Sequence, residues 1–324
     1  MSTSTELRNS NFEFRIGIIV DAGPALGYGH AVRCVRLANV LAGDAQVVFY
    51  PLSDSCREFL LSFPANPRFE IRNSHFEISS LPPLVITDLR EAHGITAAIH
   101  RQGSRHISIH DLGLAQCRSD AAIDGSIMRL FPYAPDKTRA LFLGPQYMIT
   151  RERVARHAGT DTVLITFGGG STAGLAQKVS EEVRRIGLKP VTTRGFIGST
   201  PMSDQELGHA MSTCRFAISG AGLTLYDLLA SGIPTMAVAF DRIQLRTADA
   251  FHELGAVLSA GLMERLSSSA LLRHCVEMLE NRSLTQRIAD MGQMLVDGKG
   301  LSRVVEIVRR ELWLTSHAKT FTAC

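Results

Sequence analysis

The sequence predicts an α/β protein built from two open parallel-sheet domains, and three observations carry that prediction. The chain has 324 residues, more than the roughly 250–300 over which a single hydrophobic core keeps growing. Short β-branched runs alternate with longer stretches at helical spacing, the pattern of βαβ units. A polar stretch at residues 150–161 (TRERVARHAGTD) interrupts the alternation near mid-chain, and a second set of runs follows it. The expected organisation is a first domain at 1–149, a linker at 150–161, a second domain at 162–312 and a tail at 313–324.

Element by element, residues 14–22 (FRIGIIVDA) read as a first buried strand. Residues 30–41 place Val32, Val35, Leu37, Ala38 and Leu41 on a helical face. Residues 46–52 (QVVFYPL) form the next strand. Residues 84–89 (LVITDL) and 105–112 (RHISIHDL) flank a helical stretch at 91–102, and a short strand falls near 121–123. After the linker come strand 162–167 (TVLITF), helix 173–188, strand 190–197, helix 204–214, strand 216–219, helix 223–231, strand 234–240 and a helix from about 244 to 254. The remaining residues are mostly helical, ending near Leu312 or Trp313. Paired domains of this kind hold a ligand between them, at the carboxyl ends of their strands.

Composition narrows the function classes. Hydrophobic residues are 45% and charged residues 20% of the chain, so a core can be built and global disorder is excluded. A net charge of +3, from 34 basic and 31 acidic residues, gives no concentrated face for nucleic acid. It leaves room for a local basic pocket that takes a small anion. Cys34, Cys56, Cys117, Cys214, Cys275 and Cys324 form no C-x-x-C pair. They read as reduced, mostly buried thiols rather than a metal or redox centre. The polar N-terminus and the lack of an 18-residue apolar run point to no membrane span and a cytoplasmic location.

Three glycine-rich loops sit at strand ends. The first, Gly23-Pro24-Ala25-Leu26-Gly27-Tyr28-Gly29-His30, joins a strand to a helix. It matches neither the P-loop nor the dinucleotide fingerprint, whose third glycine position holds Val32. A tight turn is one reading. The other is a cleft histidine at a helix N-terminus, where the positive helix end keeps the imidazole neutral and able to act as a general base. The second loop, Phe167-Gly168-Gly169-Gly170-Ser171-Thr172, is a flexible turn or a cleft lining; no G-x-S-x-G makes Ser171 a nucleophile. The third, Ser219-Gly220-Ala221-Gly222-Leu223-Thr224-Leu225-Tyr226-Asp227, opens a helix that can hold a diphosphate on backbone N–H groups. Asp227, one turn in, either complements the helix dipole or accepts hydrogen bonds from a ribose diol. Asp21, Asp88 and Asp111 each end a strand, where polar groups reach a cleft and where loops begin. His106 and His110 share a strand face but lie about 13 Å apart, too far to share a metal.

The run Gly27-Tyr28-Gly29-His30-Ala31-Val32-Arg33-Cys34 resembles the G-x-G-H-x-x-R-C signature of the UDP-sugar hydrolases of pseudaminic acid biosynthesis and their spore-coat polysaccharide relatives. Leu143-Gly144-Pro145-Gln146-Tyr147 is similar to the family's L-G-P-x-Y segment. Phe167-Gly168-Gly169 and the run from Gly220 to Asp227 follow in the same order, over roughly residues 14–312. The third loop is also similar to the nucleotide-binding segment of the peptidoglycan N-acetylglucosaminyltransferase.

The resemblance implies the glycosyltransferase-B (GT-B) architecture, two Rossmann-like domains facing each other across a cleft. It implies water attack, with inversion, on the anomeric carbon of a UDP-linked 2,4-diacetamido-2,4,6-trideoxyhexose, with no metal and no cofactor. On that basis His30 is the base. Asp21, Gly27, Tyr28, Gly29, Arg33, Asp111, Tyr147 and Gln244 touch the substrate. Gly168, Gly169, Gly220, Ala221, Gly222, Leu223, Thr224 and Asp227 hold the nucleotide. Asp227 stands where the family usually has Glu at the ribose. Ile243 replaces the family's Asn before Gln244, and Ile19-Val20-Asp21 lacks the Arg that precedes the family's Asp. Two rival functions share this scaffold: a glycosyltransferase in which His30 deprotonates an acceptor hydroxyl, and a non-catalytic nucleotide-sugar sensor.

Overall fold

The computed structural model describes residues 14–64, 69–74, 80–89, 93–110, 118–128, 138–157, 160–168, 173–193 and 202–321. Among them, the first sheet is formed by β1 (Arg15–Val20), β2 (Gln46–Pro51), β3 (Phe69–Ile71), β4 (Leu84–Asp88), β5 (Arg105–His110), β6 (Ser119–Asp124) and β7 (Thr138–Leu143). Its order is β3-β2-β1-β4-β5-β6-β7, with every pair parallel. Helices α1 (Gly29–Leu41), α2 (Asp54–Leu61) and α3 (His93–Arg101) connect these strands.

The second sheet is formed by β8 (Thr162–Thr166), β9 (Lys189–Thr192), β10 (Phe216–Gly220), β11 (Thr235–Ala239) and β12 (Leu258–Leu262), in the order β12-β11-β10-β8-β9, again parallel. Helices α4 (Ala173–Arg185), α5 (Asp204–Thr213), α6 (Leu223–Ala230) and α7 (Arg242–Glu253) connect them. Helices α8 (Ser268–Glu280), α9 (Arg282–Leu295) and α10 (Gly300–Phe321) follow. The two-sheet α/β class is the one the sequence predicts.

Parallel strands covered on both faces read as near-continuous apolar runs, and β1 shows why. Ile16, Ile18 and Val20 enter one core while Ile19 enters the core on the opposite face. All four are fully buried, and each such side chain contributes about 1.5–3 kcal/mol. The crossover direction reverses between β1 and β4 in the first sheet and between β8 and β10 in the second. At such switch points the loops diverge and leave a crevice at the strand carboxyl ends. The first and third glycine loops follow β1 and β10, and Phe167-Gly168, which opens the second, follows β8, so each begins at a switch point.

Two features differ from the expectation. The stretch at 150–157 has no regular secondary structure but is pinned. Thr150 and Arg151 are buried, and the Arg151 guanidinium donates to the Asp204 carbonyl at 2.9 Å. Helix α10, expected within the second domain and its tail, packs on the first sheet instead. Val304, Val305, Ile307, Val308 and Leu312 join the first core, and Glu311 pairs with Arg105 on β5. Helical spacing reveals an apolar face, but it does not say which sheet covers it.

Candidate functional site

The first loop is closed by its own backbone. Gly27 N donates to the Gly23 carbonyl at 2.7 Å and Gly23 N to the Gly27 carbonyl at 3.2 Å. Gly27 takes φ +82°, a left-handed conformation that favours glycine. The closed turn delivers Tyr28 as the N-cap of α1 and places His30 in its first turn. Asp21, ahead of the turn, accepts from the Ser53 hydroxyl at 2.5 Å and from Ala22 N at 2.9 Å.

Strand register puts Asp88, the last residue of β4, beside Val20, the last residue of β1. From there its carboxylate reaches the first turns of α1. His30 Nδ1 lies 2.6 Å from Asp88 Oδ1. Arg33 clamps the same carboxylate, with Nε on Oδ2 at 2.5 Å and Nη2 on Oδ1 at 2.6 Å. Asp88 is fully buried, while His30 is 8% and Arg33 3% exposed. Burial alone would raise the Asp88 pKa. The Arg33 charge, then the His30 ring and the hydrogen bonds from both, overcome it and hold the carboxyl well below the usual carboxylate range. Cys34 Sγ donates to the same carboxylate at 3.5 Å. Burial and the Asp88 charge push its thiol well above the ordinary range, so it stays protonated. The same His30 Nδ1 also lies 3.3 Å from Arg33 Nη2, so the carboxylate and the guanidinium together fix the ring's orientation.

The opposite wall carries little charge. Gly222 is the exposed N-cap of α6, and no side chain caps that helix. Gly220 lies against the Phe240 ring and Gln244 Oε1, at 3.2 and 3.7 Å from a β-carbon built there. Gln244 accepts from Phe240 N at 3.3 Å. Phe167, just after β8, meets Phe240 edge-on, with ring centroids 5.2 Å apart. The two walls touch: a β-carbon on Gly29 would sit 3.5 Å from that of Leu223.

The structure therefore brings Gly29, with His30 next to it in α1, against Leu223 at the start of α6, and Gly220 against Gln244. Other expected site residues take different roles. Arg33 is locked to Asp88 rather than presented to a substrate. Tyr28 packs its ring against Phe59 at 4.5 Å. Tyr147 sits in a short 3-10 turn, its ring edge-on to Phe142 at 5.7 Å. Asp227 is 2% exposed and accepts two hydrogen bonds from Arg36 and one from Arg151 N, so its carboxylate is committed within the protein. Asp111 and Gly169 lie outside the described residues. Asp88 went unassigned in the sequence; its one signal was an acid closing an apolar strand.

Among the described residues, no three His, Cys, Asp or Glu side chains cluster as a metal site, and no helix is long and apolar enough to cross a membrane. A cavity of about 380 Å³, lined by Arg153, Arg156, Ser231, Gln286, Asp290 and Gln293 among others, includes none of the expected site residues.

The chain matches no family model. It is 25% identical over 332 aligned positions to the spore coat polysaccharide biosynthesis protein SpsG of Bacillus subtilis (strain 168), covering 91% of this chain and 97% of that protein. That relative belongs to the spore-coat group that the sequence motifs resemble. Among solved structures, CalG4, the calicheamicin glycosyltransferase, superposes with a TM-score of 0.63 at 12% identity, covering 92% of this chain and 98% of that one. UGT2 of Phytolacca americana, complexed with UDP-2fluoro-glucose and pterostilbene, gives 0.63 at 11% identity, covering 92% and 99%. The fold is that of the GT-B glycosyltransferases.

Proposed function

We propose that the protein is a nucleotide-sugar hydrolase that releases UDP from a UDP-linked 2,4-diacetamido-2,4,6-trideoxyhexose. One observation supports the reading: a histidine oriented by a buried carboxylate follows Gly29, which packs against Leu223 at the start of α6, a helix whose glycine N-cap carries no side-chain cap. Water attacks the anomeric carbon, the bond from that carbon to the β-phosphate oxygen breaks, and its electron pair leaves with UDP. The water proton passes to His30 Nε2, and Asp88 stabilises the imidazolium that forms. Backbone N–H groups at the start of α6 face the diphosphate, where negative charge grows as the bond breaks. Asp21, Gly27, Gly29 and Gln244 border the sugar, and Gly168, Gly220, Ala221, Gly222, Leu223 and Thr224 border the nucleotide. Arg33 acts through Asp88. The spore-coat polysaccharide relative supports a place in glycan assembly.

A second reading is favoured by the glycosyltransferases that share the fold: the same His30 deprotonates an acceptor hydroxyl instead of water. Incubation with the UDP-sugar and no acceptor separates the two. Free sugar and UDP in equal amounts support the hydrolase. UDP release only on adding an acceptor supports the transferase. Binding without release under both conditions overturns both readings.

A further inference from the structure

Helix α6, which starts at the third glycine loop, is fastened to the first domain by a contact with no part in the chemistry above. Arg36, on α1 one turn beyond Arg33, donates Nη1 to Asp227 Oδ1 at 2.9 Å and Nη2 to Oδ2 at 2.8 Å. The Asp227 side chain is 3% exposed and that of Arg36 17%. Arg151 N, at the crossing between the domains, donates to Asp227 Oδ1 at 2.9 Å. The neighbouring Tyr226 hydroxyl accepts from Ile127 N, beyond β6, at 3.1 Å. Three segments of the first half thus converge on one turn of α6.

The placement gives this contact a consequence. Helix α1 carries His30 in its first turn and Arg36 in its second; α6 carries Gly222 at its N-cap and Asp227 in its second turn. A two-point bond between the second turns sets the separation of the two helix starts, the base on one and the anion cradle on the other. Arg holds a carboxylate in a fixed fork, so the bond sets orientation as well as distance. A carboxylate with both oxygens so engaged and so little exposed is poorly placed to meet a ribose.

We propose that Arg36 and Asp227 are a positioning pair that holds α1 and α6 in register, so that His30 and the glycine cradle face each other before any ligand binds. Its kinetic consequence rests on the hydrolase reading; the clasp itself is testable without substrate. A Gly29→Cys/Leu223→Cys protein reports the approach of the walls, because the 3.5 Å β-carbon separation falls in the disulfide range of about 3.5–4.5 Å. Its crosslinking by diamide, followed by mass spectrometry, should slow by about tenfold when Arg36→Gln is added. Arg36→Lys should fall between, and circular dichroism should stay unchanged. Crosslinking of the Arg36→Gln protein at the parent rate would overturn the clasp.

In the otherwise native chain, Arg36→Gln and Asp227→Asn should each lower kcat on the order of 10²-fold, the cost of about a 1 Å misplacement. UDP affinity by calorimetry should hold. Loss of UDP affinity in Asp227→Asn alone would return Asp227 to the ribose and overturn the proposal. If Asp227→Asn does not fold, the Arg36 variants decide. If the native protein releases UDP from no nucleotide sugar, the hydrolase reading fails while the crosslinking result still stands.

Discussion

The first and third glycine loops do the same topological job with opposite materials. Each joins a strand to a helix at a switch point, and each presents a helix N-terminus to the cleft. Behind the first lies a buried cluster of ionisable side chains, with Asp88 shared by His30, Arg33 and Cys34. Behind the third lie glycines, a serine bonded to the next residue's backbone (Ser219 Oγ to the Gly220 carbonyl at 2.9 Å) and the Phe167–Phe240 pair. A proton-transferring group must be held in one tautomer and one orientation, which takes a desolvated, fully partnered network. A diphosphate is met by backbone N–H groups, and a side chain in that loop would only stand in its way. Under the proposed function, this contrast would put turnover on one wall and nucleotide affinity on the other.

The strongest way to break that division is His30→Gln. Turnover should fall by roughly 10²–10⁴, the range for a general base, with UDP affinity unchanged in calorimetry. If UDP binding falls instead, the walls are not separate. Asp88→Asn should lower turnover by up to roughly 10⁴, because the amide leaves the imidazole without its orienting charge. UDP affinity should again hold.

The same substitution sharpens the comparison through acid stability. The Asp88 carboxyl is held below its ordinary range in the folded state. Its contribution is therefore complete above the unfolded value of about 4 and is lost as pH falls from there toward the folded value. Urea midpoints between about pH 5 and 2 should fall less steeply for Asp88→Asn than for the native chain. Equal slopes would mean that the carboxylate is not the buried ionised group described.

The smallest effect belongs to the other wall. Among the described residues, no atom beyond Gly222 and its chain neighbours lies within 4 Å of a β-carbon built there, so Gly222→Val should leave the fold intact. UDP binding should weaken by about tenfold, roughly 1.4 kcal/mol, with kcat little changed. A fall in kcat at constant affinity would move the third loop into the chemistry.

What was legible in the chain follows from the range over which each signal acts. Periodicity and glycine placement are local, so β1, α1, β4, β8, β10, α6 and the first and third loops stand close to where the residues put them. Other short elements carry weaker signals: β3 has three residues, and α2 is marked chiefly by Ser53, whose hydroxyl accepts from Cys56 N at 3.2 Å. His30 was found because it adjoins a glycine loop and matches a motif. Asp88 was not, because nothing near residue 88 announces a partner 58 positions earlier.

By itself, the sequence determined two parallel sheets, the strand-to-helix loops at their switch points and a histidine at the start of a helix. Each depends on spacings of two to four residues, which the chain carries in its own order. Only the tertiary structure decided that Arg33 serves Asp88 rather than a substrate. It alone decided that Asp227 meets Arg36 across 191 positions and that α10 returns to the first sheet. Those outcomes rest on strand order and on which buried charge finds its counter-charge. Burial makes an unpaired charge costly enough to be matched, but the residue that matches it is chosen by packing in three dimensions.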